Sequence, residues 1–431
     1  MSLSTSQIKK RFLNLIHSLD PATVGKHPSD FSRNRLCPLP DTIMLLLSMA
    51  GHTLNTEIGN YYAAIDKIPP SQSAFAQQRN KLLPHVLPDI LSNTNSIFPF
   101  TKTFKGLHLL AADGSDINIP SLPGDTSTFM KVPGREGYYQ VHLNAVYDLL
   151  EHRYCDGYVT PRNKINENGA LCEMIDRCPL EKSLFIADRG YVCFNTMAHV
   201  IQNGHFFLIR ARKVDSSSSL FKNIPLPDSD TFDMDVSFCL GRSRSRKSKD
   251  GLNYKHIQPG RPFDYLPLGD RKSSFNIDLR LVKIQLGGDT FEYLMTNLPK
   301  NKFPLSCLKE LYHMRWGIET SFRQVKYNLA LNCFHSRKRD YICQEIYARL
   351  IMYNLIALLI GSVTVKQKNT KYQYQISFSD SVPYCRRFLI TRMTAVKLKN
   401  LLLKCRIPIR PDRSAPRHVR SQKVTALNNR Y

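Results

Sequence analysis

Acidic residues are scarce in this chain. Thirty-five Asp and Glu stand against 60 Lys and Arg in 431 residues, a formal charge of +25. That excess is larger than solubility alone requires and points to a polyanionic partner, nucleic acid foremost. Paired cysteines are missing too. The eleven Cys are scattered with no CxxC spacing, which argues against a zinc knuckle. An odd count without a signal peptide implies reduced thiols and a cytoplasmic setting. Long apolar runs are absent. The longest, "LIMYNLIALLIG" at 350–361, is too short to span a bilayer and contains Asn354, so it reads as a buried core helix and no membrane is implied. Tryptophan occurs once, as Trp316, and no internal repeat is present.

What is present divides the chain in three. Residues 1–100 read as a helical domain. "DTIMLLLSMAGHT" and "TEIGNYYAAID" are helical, and "PPSQSAFAQQRNKLL" follows with a Pro-Pro turn, a serine cap and a basic face. Helix, short turn and basic helix fit a helix-turn-helix DNA-binding domain. From 101 to 362 the pattern becomes mixed. "GLHLLAADGSDINI" and "KSLFIADRG" are buried strands ending in aspartates; "YYQVHLNAVYDLL", "RYCDGYVT" and "HFFLIRAR" are further strands, with helices between. The fold class is α/β, a mixed sheet with flanking helices. A β-rich insertion occupies about 213–300, and a basic region, 363–431, ends the chain.

Asp113 and Asp188 close two apolar strands. Adjacent strands bring such ends together, and two bare carboxylates in proximity repel unless a cation sits between them. Hard oxygen ligands suit Mg²⁺. A third carboxylate completes a two-ion site for phosphodiester displacement. Either aspartate alone can instead be a turn residue, in "DGS" or "DRG". The stretch "YHMRWGIETSFRQVK" supplies the third. On one helix Tyr312, Arg315, Glu319 and Lys326 project at roughly 0°, −60°, −20° and −40°. Glu319 can then reach the ions while Arg315 and Lys326 meet phosphates. The plain alternative is a solvated helix with a Glu319–Arg323 ion pair. Trp316 falls off that face and reads as a packing residue; Asp116 reads as a turn residue; Arg189 suits either phosphate or an ion pair.

These residues resemble the transposases of the insertion-sequence-four family, cut-and-paste enzymes with an Asp-Asp-Glu site. The family's Tyr, Arg, Glu, Lys signature is complete in Tyr312, Arg315, Glu319 and Lys326, and chance gives such a match at roughly one in 20⁴ windows. "ADGSDI", "YYQVHLNAVYDLL", "IADRGY", "YLMTNLP" and "QEIYARLIMYNLI" extend the likeness over about residues 70–360. The resemblance implies a ribonuclease-H-like core with a β-strand insertion before the glutamate helix. It implies Asp113, Asp188 and Glu319 as catalytic ligands of two Mg²⁺ ions (Mn²⁺ can substitute). Tyr312, Arg315 and Lys326 are then contacts to the transposon-end backbone.

The same resemblance implies nicking by water, a hairpin intermediate, and joining to target DNA by a homodimer in a synaptic complex on terminal inverted repeats. An aromatic of the insertion, Phe275, Phe291 or Tyr293, is implied to hold a flipped base, with core packing the alternative for each. The cluster Arg242, Arg244, Arg246, Lys247 and Lys249 is a candidate phosphate track. Two other functions fit less of the pattern: a non-catalytic DNA-binding derivative, and a metal-dependent nuclease that cuts without joining.

Overall fold

The apolar residues Leu109–Ala112 form the spine of a ten-stranded sheet. The structure is a computed structural model, and it describes residues 3–33, 36–211, 220–221, 224–244, 253–287, 290–367 and 371–410. The strands are β1 (His108–Ile119), β2 (Phe129–Val132), β3 (Arg135–Asp148), β4 (Arg153–Pro161), β5 (Ser183–Ala187), β6 (Phe206–Arg210), β7 (Phe232–Gly241), β8 (Asn253–His256), β9 (Ser274–Gly287) and β10 (Thr290–Thr296). Five of them make the core, in the order β4-β3-β1-β5-β6, and within it only β3 runs against the others. This is the ribonuclease-H-like mixed sheet that the motifs lead one to expect.

Alternation along the strands sends side chains to two faces. Leu109, Ala111, Leu184 and Ile186 join one hydrophobic cluster; Leu110, Ala112, Phe185 and Ala187 join the other. The first face carries most of the helices. These are α1 (Thr5–His17), α2 (Pro21–Val24), α3 (Leu39–Ser48), α4 (Leu54–Ala64), α5 (Gln72–Asn80) and α6 (Val86–Ile97) from the N-terminal part. The second face carries α7 (Glu167–Asp176) and α8 (Phe194–Gln202). Then α9 (Leu305–Met314), α10 (Trp316–Tyr327), α11 (Arg339–Gly361), α12 (Phe378–Ile390) and α13 (Ala395–Lys404) return to the first.

Several boundaries differ from the sequence reading. The N-terminal helices share one continuous apolar cluster with the sheet and α11. A seven-residue link, 65–71, separates α4 from α5, and Gln78 and Arg79 of the supposedly basic face are buried. Arg79 points inward because Glu345, Gln344 and the Tyr341 carbonyl on α11 take its donors. The insertion is no separate β-body. Its strands β10, β9, β7 and β8 continue the sheet outward from β6. Part of the basic C-terminal region is folded as well: Val382, Cys385, Phe388, Leu398 and Leu402 of α12 and α13 enter the first cluster. Residues 411–431 of that region lie outside the described residues.

Among the described residues one helix, Arg339–Gly361, is long and apolar enough to cross a membrane, but 78% of its apolar window is buried inside the fold. Asn354 explains its polar interruption. Its Oδ1 accepts from Tyr154 N at 2.7 Å and its amide donates to Tyr154 O at 2.7 Å. Asn95 of α6 also donates to Tyr154 O, and Tyr347 of α11 to Gly157 O. These side chains occupy the outer edge of β4 and so block further strand addition there.

Candidate active site

Register decides the first two carboxylates. β1 and β5 are parallel neighbours, and Ala112 pairs with Ala187. The next residue on each chain is Asp113 and Asp188, so the two sit side by side. Odd residues of β1 and even residues of β5 face the α9–α11 layer, and both aspartates have that parity. The glycine after Asp113 keeps the strand going: "DGS" is strand interior rather than a turn. A Cβ on Gly114 would stand 2.3 Å from His142 Nε2, so no larger residue fits there without a shift. "DRG" does turn, as a short 3₁₀ helix at Arg189–Tyr191 capped by Asp188, whose Oδ1 accepts from Arg189 N at 2.7 Å. Arg189 itself is exposed.

The signature region is two helices, not one. The ladder is interrupted at Arg315, which ends α9 and begins α10. The bonds Arg315 N to Tyr312 O and Ile318 N to Arg315 O are of the tighter i to i−3 type. Arg315 stays in the helical region at φ −49°, so the four signature residues still converge on β1 and β5. They converge inward. Tyr312 OH donates to Asp188 Oδ1 at 3.2 Å. One guanidinium nitrogen of Arg315 is 3.0 Å from Glu319 Oε1 and another is 4.0 Å from Asp113 Oδ2. Lys326 Nζ donates to Ser115 Oγ at 2.7 Å and to Asp116 O at 2.8 Å. Without DNA, these three groups are bonded within the cleft: Tyr312 to Asp188, Arg315 to Glu319, and Lys326 to Ser115 and the Asp116 carbonyl of β1. A low-dielectric cleft holding three carboxylates draws in whatever cations its walls offer.

The electrostatics show the strain of that gathering. Burial pushes the Asp113 carboxyl up to about 6, helped by the charges of Glu319 and Glu167 and opposed by the Gly114 N–H and Arg315. Burial, with the Asp188 charge, pushes the Tyr312 hydroxyl up, so it remains a donor. Burial lowers Lys326 against the pull of Asp116 and Asp113.

Some groups that sequence reasoning passed over lie in the same cleft. Arg210, at the end of β6, is 2.9 Å from Glu292 and 3.8 Å from Asp188. His142 on β3 is buried between Asp116, at 2.7 Å, and Glu167, at 3.1 Å. The hydrogen bond with Asp116 and the pull of both carboxylates outweigh burial and lift it to about 9. Asp116 is therefore a strand residue with two basic partners, His142 and Arg162, rather than a turn residue. Only contacts across strands reveal these pairs, and no spacing along the chain encodes them.

Other expectations change. Trp316 is 46% exposed, with the Arg315 guanidinium 5.2 Å from its ring, so it is not a core packing residue. Arg323 and Tyr327 share that exposed side of α10. Arg242 is buried and donates to the carbonyls of Leu266, Gln258 and Phe263, which makes it internal bracing of the insertion rather than a phosphate contact. Arg244 is exposed, while Arg246, Lys247 and Lys249 lie outside the described residues. Phe275 packs on Phe263 and Tyr265, Tyr293 packs on Phe232, and Phe291 lies under Lys283.

Residues 105–355 match the transposase DDE domain family. The chain belongs to that family. It is a DNA transposase, a DDE enzyme of the insertion-sequence-four type, in a family that binds DNA and uses divalent metal ions. The chain is 24% identical over 335 residues to the transposase InsG for insertion sequence element IS4 of Escherichia coli (strain K12), covering 74% of this chain and 68% of that one. A piggyBac transposase solved in a synaptic complex with hairpin DNA aligns with a TM-score of 0.44 at 11% identity, over 92% of this chain and 81% of that chain.

The transposase's donor set suits a hard divalent ion: carboxylate oxygens from the interior of β1, the end of β5 and a facing helix. Among the described residues no three His, Cys, Asp or Glu side chains are already gathered as a cage. Arg315 stands between Glu319 and Asp113. The Asp113 carboxyl is raised chiefly by burial, and the Gly114 N–H and this one arginine only partly offset that cost. The residues fit an ion, provided Arg315 yields.

Proposed function

We propose that Asp113, Asp188 and Glu319 hold two Mg²⁺ ions, with Mn²⁺ an acceptable substitute, and cut and rejoin DNA at the ends of an insertion sequence. The observation that carries this reading is the β1–β5 register, which sets Asp113 beside Asp188 on the face that α10 covers. Bound ions would activate the attacking oxygen and stabilise the leaving one. The chain's own residues do the rest. Tyr312 orients Asp188 through its hydroxyl. Lys326 fixes the strand that bears Asp113 by holding Ser115 and Asp116. Arg315 offsets charge in the resting cleft and turns to a phosphate when DNA enters, where its planar fork suits two oxygens.

The products are a hairpin end and then joined target DNA. Hairpin formation rests on the resemblance to the insertion-sequence-four transposases. The protein works as a homodimer on paired terminal inverted repeats, in the cytoplasm on nucleoid DNA. The N-terminal helices add DNA contacts through exposed bases such as Lys10 and Arg11, since Arg79 is committed to the core.

The test is incubation with DNA carrying the ends of the flanking element and Mg²⁺, comparing wild type with Glu319→Ala. Hairpin and strand-transfer products are expected from wild type only. Equal products from both proteins remove Glu319 from the reaction. Cut ends without joined target would instead favour a nuclease.

A further inference from the structure

The first turn of α8 is open. Its N-cap residue, Cys193, sits at φ −148° and ψ 132° and makes no capping hydrogen bond, and no acid stands in the first turn. The leading N–H groups of a helix have no partner within it and carry the positive end of its dipole. This end of α8 borders a cavity of about 290 Å³, whose wall includes Cys193, Asn195, Lys255, His256, Arg261 and Phe263. Lys255 and His256 belong to β8, so the insertion and the catalytic core build the cavity together.

The side chains around it are short of negative charge. Among the described residues no Asp or Glu lines the cavity. Lys255 is half-buried, its Nζ 5.6 Å from the Phe238 ring centroid, and burial lowers its ammonium below the ordinary value. Among the described residues neither it nor Arg261, which is exposed, forms an ion pair. Both ring nitrogens of His256 are buried without a hydrogen-bond partner. Asp264, the residue after Phe263, is already held by Asn195 and His199. Desolvated cations and unpaired polar atoms are costly unless a partner arrives.

Val192, in the same wall, lies four residues after Asp188. Four residues reach at most about 14 Å, roughly four nucleotide steps along a duplex. The cavity is on the α8 side of the sheet, whereas Asp113 and Asp188 face the α9–α11 layer.

We propose that this cavity is a phosphate-binding site, separate from the cleft of Asp113, Asp188 and Glu319. The open turn of α8 receives the phosphate oxygens, Lys255 supplies a point charge and Arg261 stands at the rim. The site takes one phosphate group, either a DNA backbone phosphate beside the cleft or free phosphate.

The experiment measures binding without strand cutting, so its outcome is independent of the metal reading. The full chain is titrated calorimetrically with inorganic phosphate, at fixed ionic strength and without divalent ions. Saturable binding is expected. Lys255→Gln should weaken it about tenfold, the loss of one charge-assisted hydrogen bond, and Arg261→Gln somewhat less. Cys193→Asp supplies the missing cap. It is expected to raise the thermal midpoint yet abolish phosphate binding, because the new carboxylate takes the same N–H groups. Lys397→Gln removes a like charge from an exposed position on α13 and is expected to bind as wild type. A second arm uses a DNA duplex without element ends. A fall of about one in the salt slope with Lys255→Gln identifies the phosphate as backbone; an unchanged slope beside calorimetric binding identifies free phosphate.

No saturable phosphate binding by wild type, together with an unchanged slope, overturns the site. Phosphate binding at wild-type strength in Lys255→Gln or Cys193→Asp also overturns it. Equal weakening by Lys397→Gln reduces the effect to bulk charge and does the same.

Discussion

Two buried ionic clusters lie on the same side of the sheet, and they treat their carboxylates in opposite ways. Between α5 and α11, Glu345 and Arg79 are each 1% exposed and 3.1 Å apart. His335 donates to Glu345 as well, from its backbone N–H at 3.1 Å, and its ring Nδ1 is 3.0 Å away. Burial pushes Glu345 up, but the hydrogen bond with His335 and the charges of Arg79, His335 and Arg349 bring it down to about 2. In the cleft, Arg315 comes only within 4.0 Å of Asp113, and burial raises that carboxyl to about 6. The first cluster satisfies its carboxylate; the second leaves the cost of burying Asp113 only partly offset. A closed ion pair joins elements, whereas an under-compensated acidic group is what a divalent ion and DNA can use.

The sharpest test of that difference is to neutralise one carboxylate in each cluster. Asp113→Asn is expected to lower DNA cleavage at least about a thousandfold, as loss of a member of a cooperating catalytic set does. Its thermal midpoint should stay level or rise, because a repelling charge has been removed. Glu345→Gln should lower the midpoint. If both variants melt below wild type by similar amounts, the two clusters are not different in kind.

Next in size is Arg79→Met. It leaves Glu345 buried without its main cation and should cost about 3–5 kcal/mol in urea unfolding. A loss below about 1 kcal/mol would mean that His335 and Arg349 compensate, and that the N-terminal helices are held by apolar contact alone.

The smallest effect is on pH dependence, and the two clusters carry opposite signs. Glu345 has its folded value, about 2, below the ordinary 4.5. It contributes stability at higher pH, and that contribution is lost as pH falls from about 4.5 toward 2. Asp113 has its folded value, about 6, above the ordinary 3.8. It binds its proton more tightly when folded, so its contribution is lost as pH rises from about 4 to 6. Urea unfolding across pH 4–6 should show a downward component in wild type that is missing in Asp113→Asn. An identical slope in both proteins would place the excess charge elsewhere.

Much of the site is legible in local sequence. "AADGSD" and "FIADRG" stand out because a buried strand is a continuous apolar run and a lone acid closing it is conspicuous, although only the second marks a strand end. The signature is legible because four residue types recur at fixed spacing. Its geometry is only partly so: uniform helical spacing cannot show the interruption at Arg315. Asp116 and Trp316 were misread for a related reason. Burial of the one depends on His142 across the sheet, and exposure of the other depends on what α10 leaves uncovered.

The sequence by itself determined the basic charge, the alternation of strands and helices, and which three acids are the candidate triad, since these follow from composition, short-range period and the spacing of the signature. Only the tertiary structure decided that Arg315, Tyr312 and Lys326 turn inward, that Arg79 locks the N-terminal helices to α11, and that His142 lies between Asp116 and Glu167. Those outcomes depend on which distant charges meet in a low-dielectric interior. That meeting is fixed by strand register and helix docking, and it leaves no trace in any window of the chain.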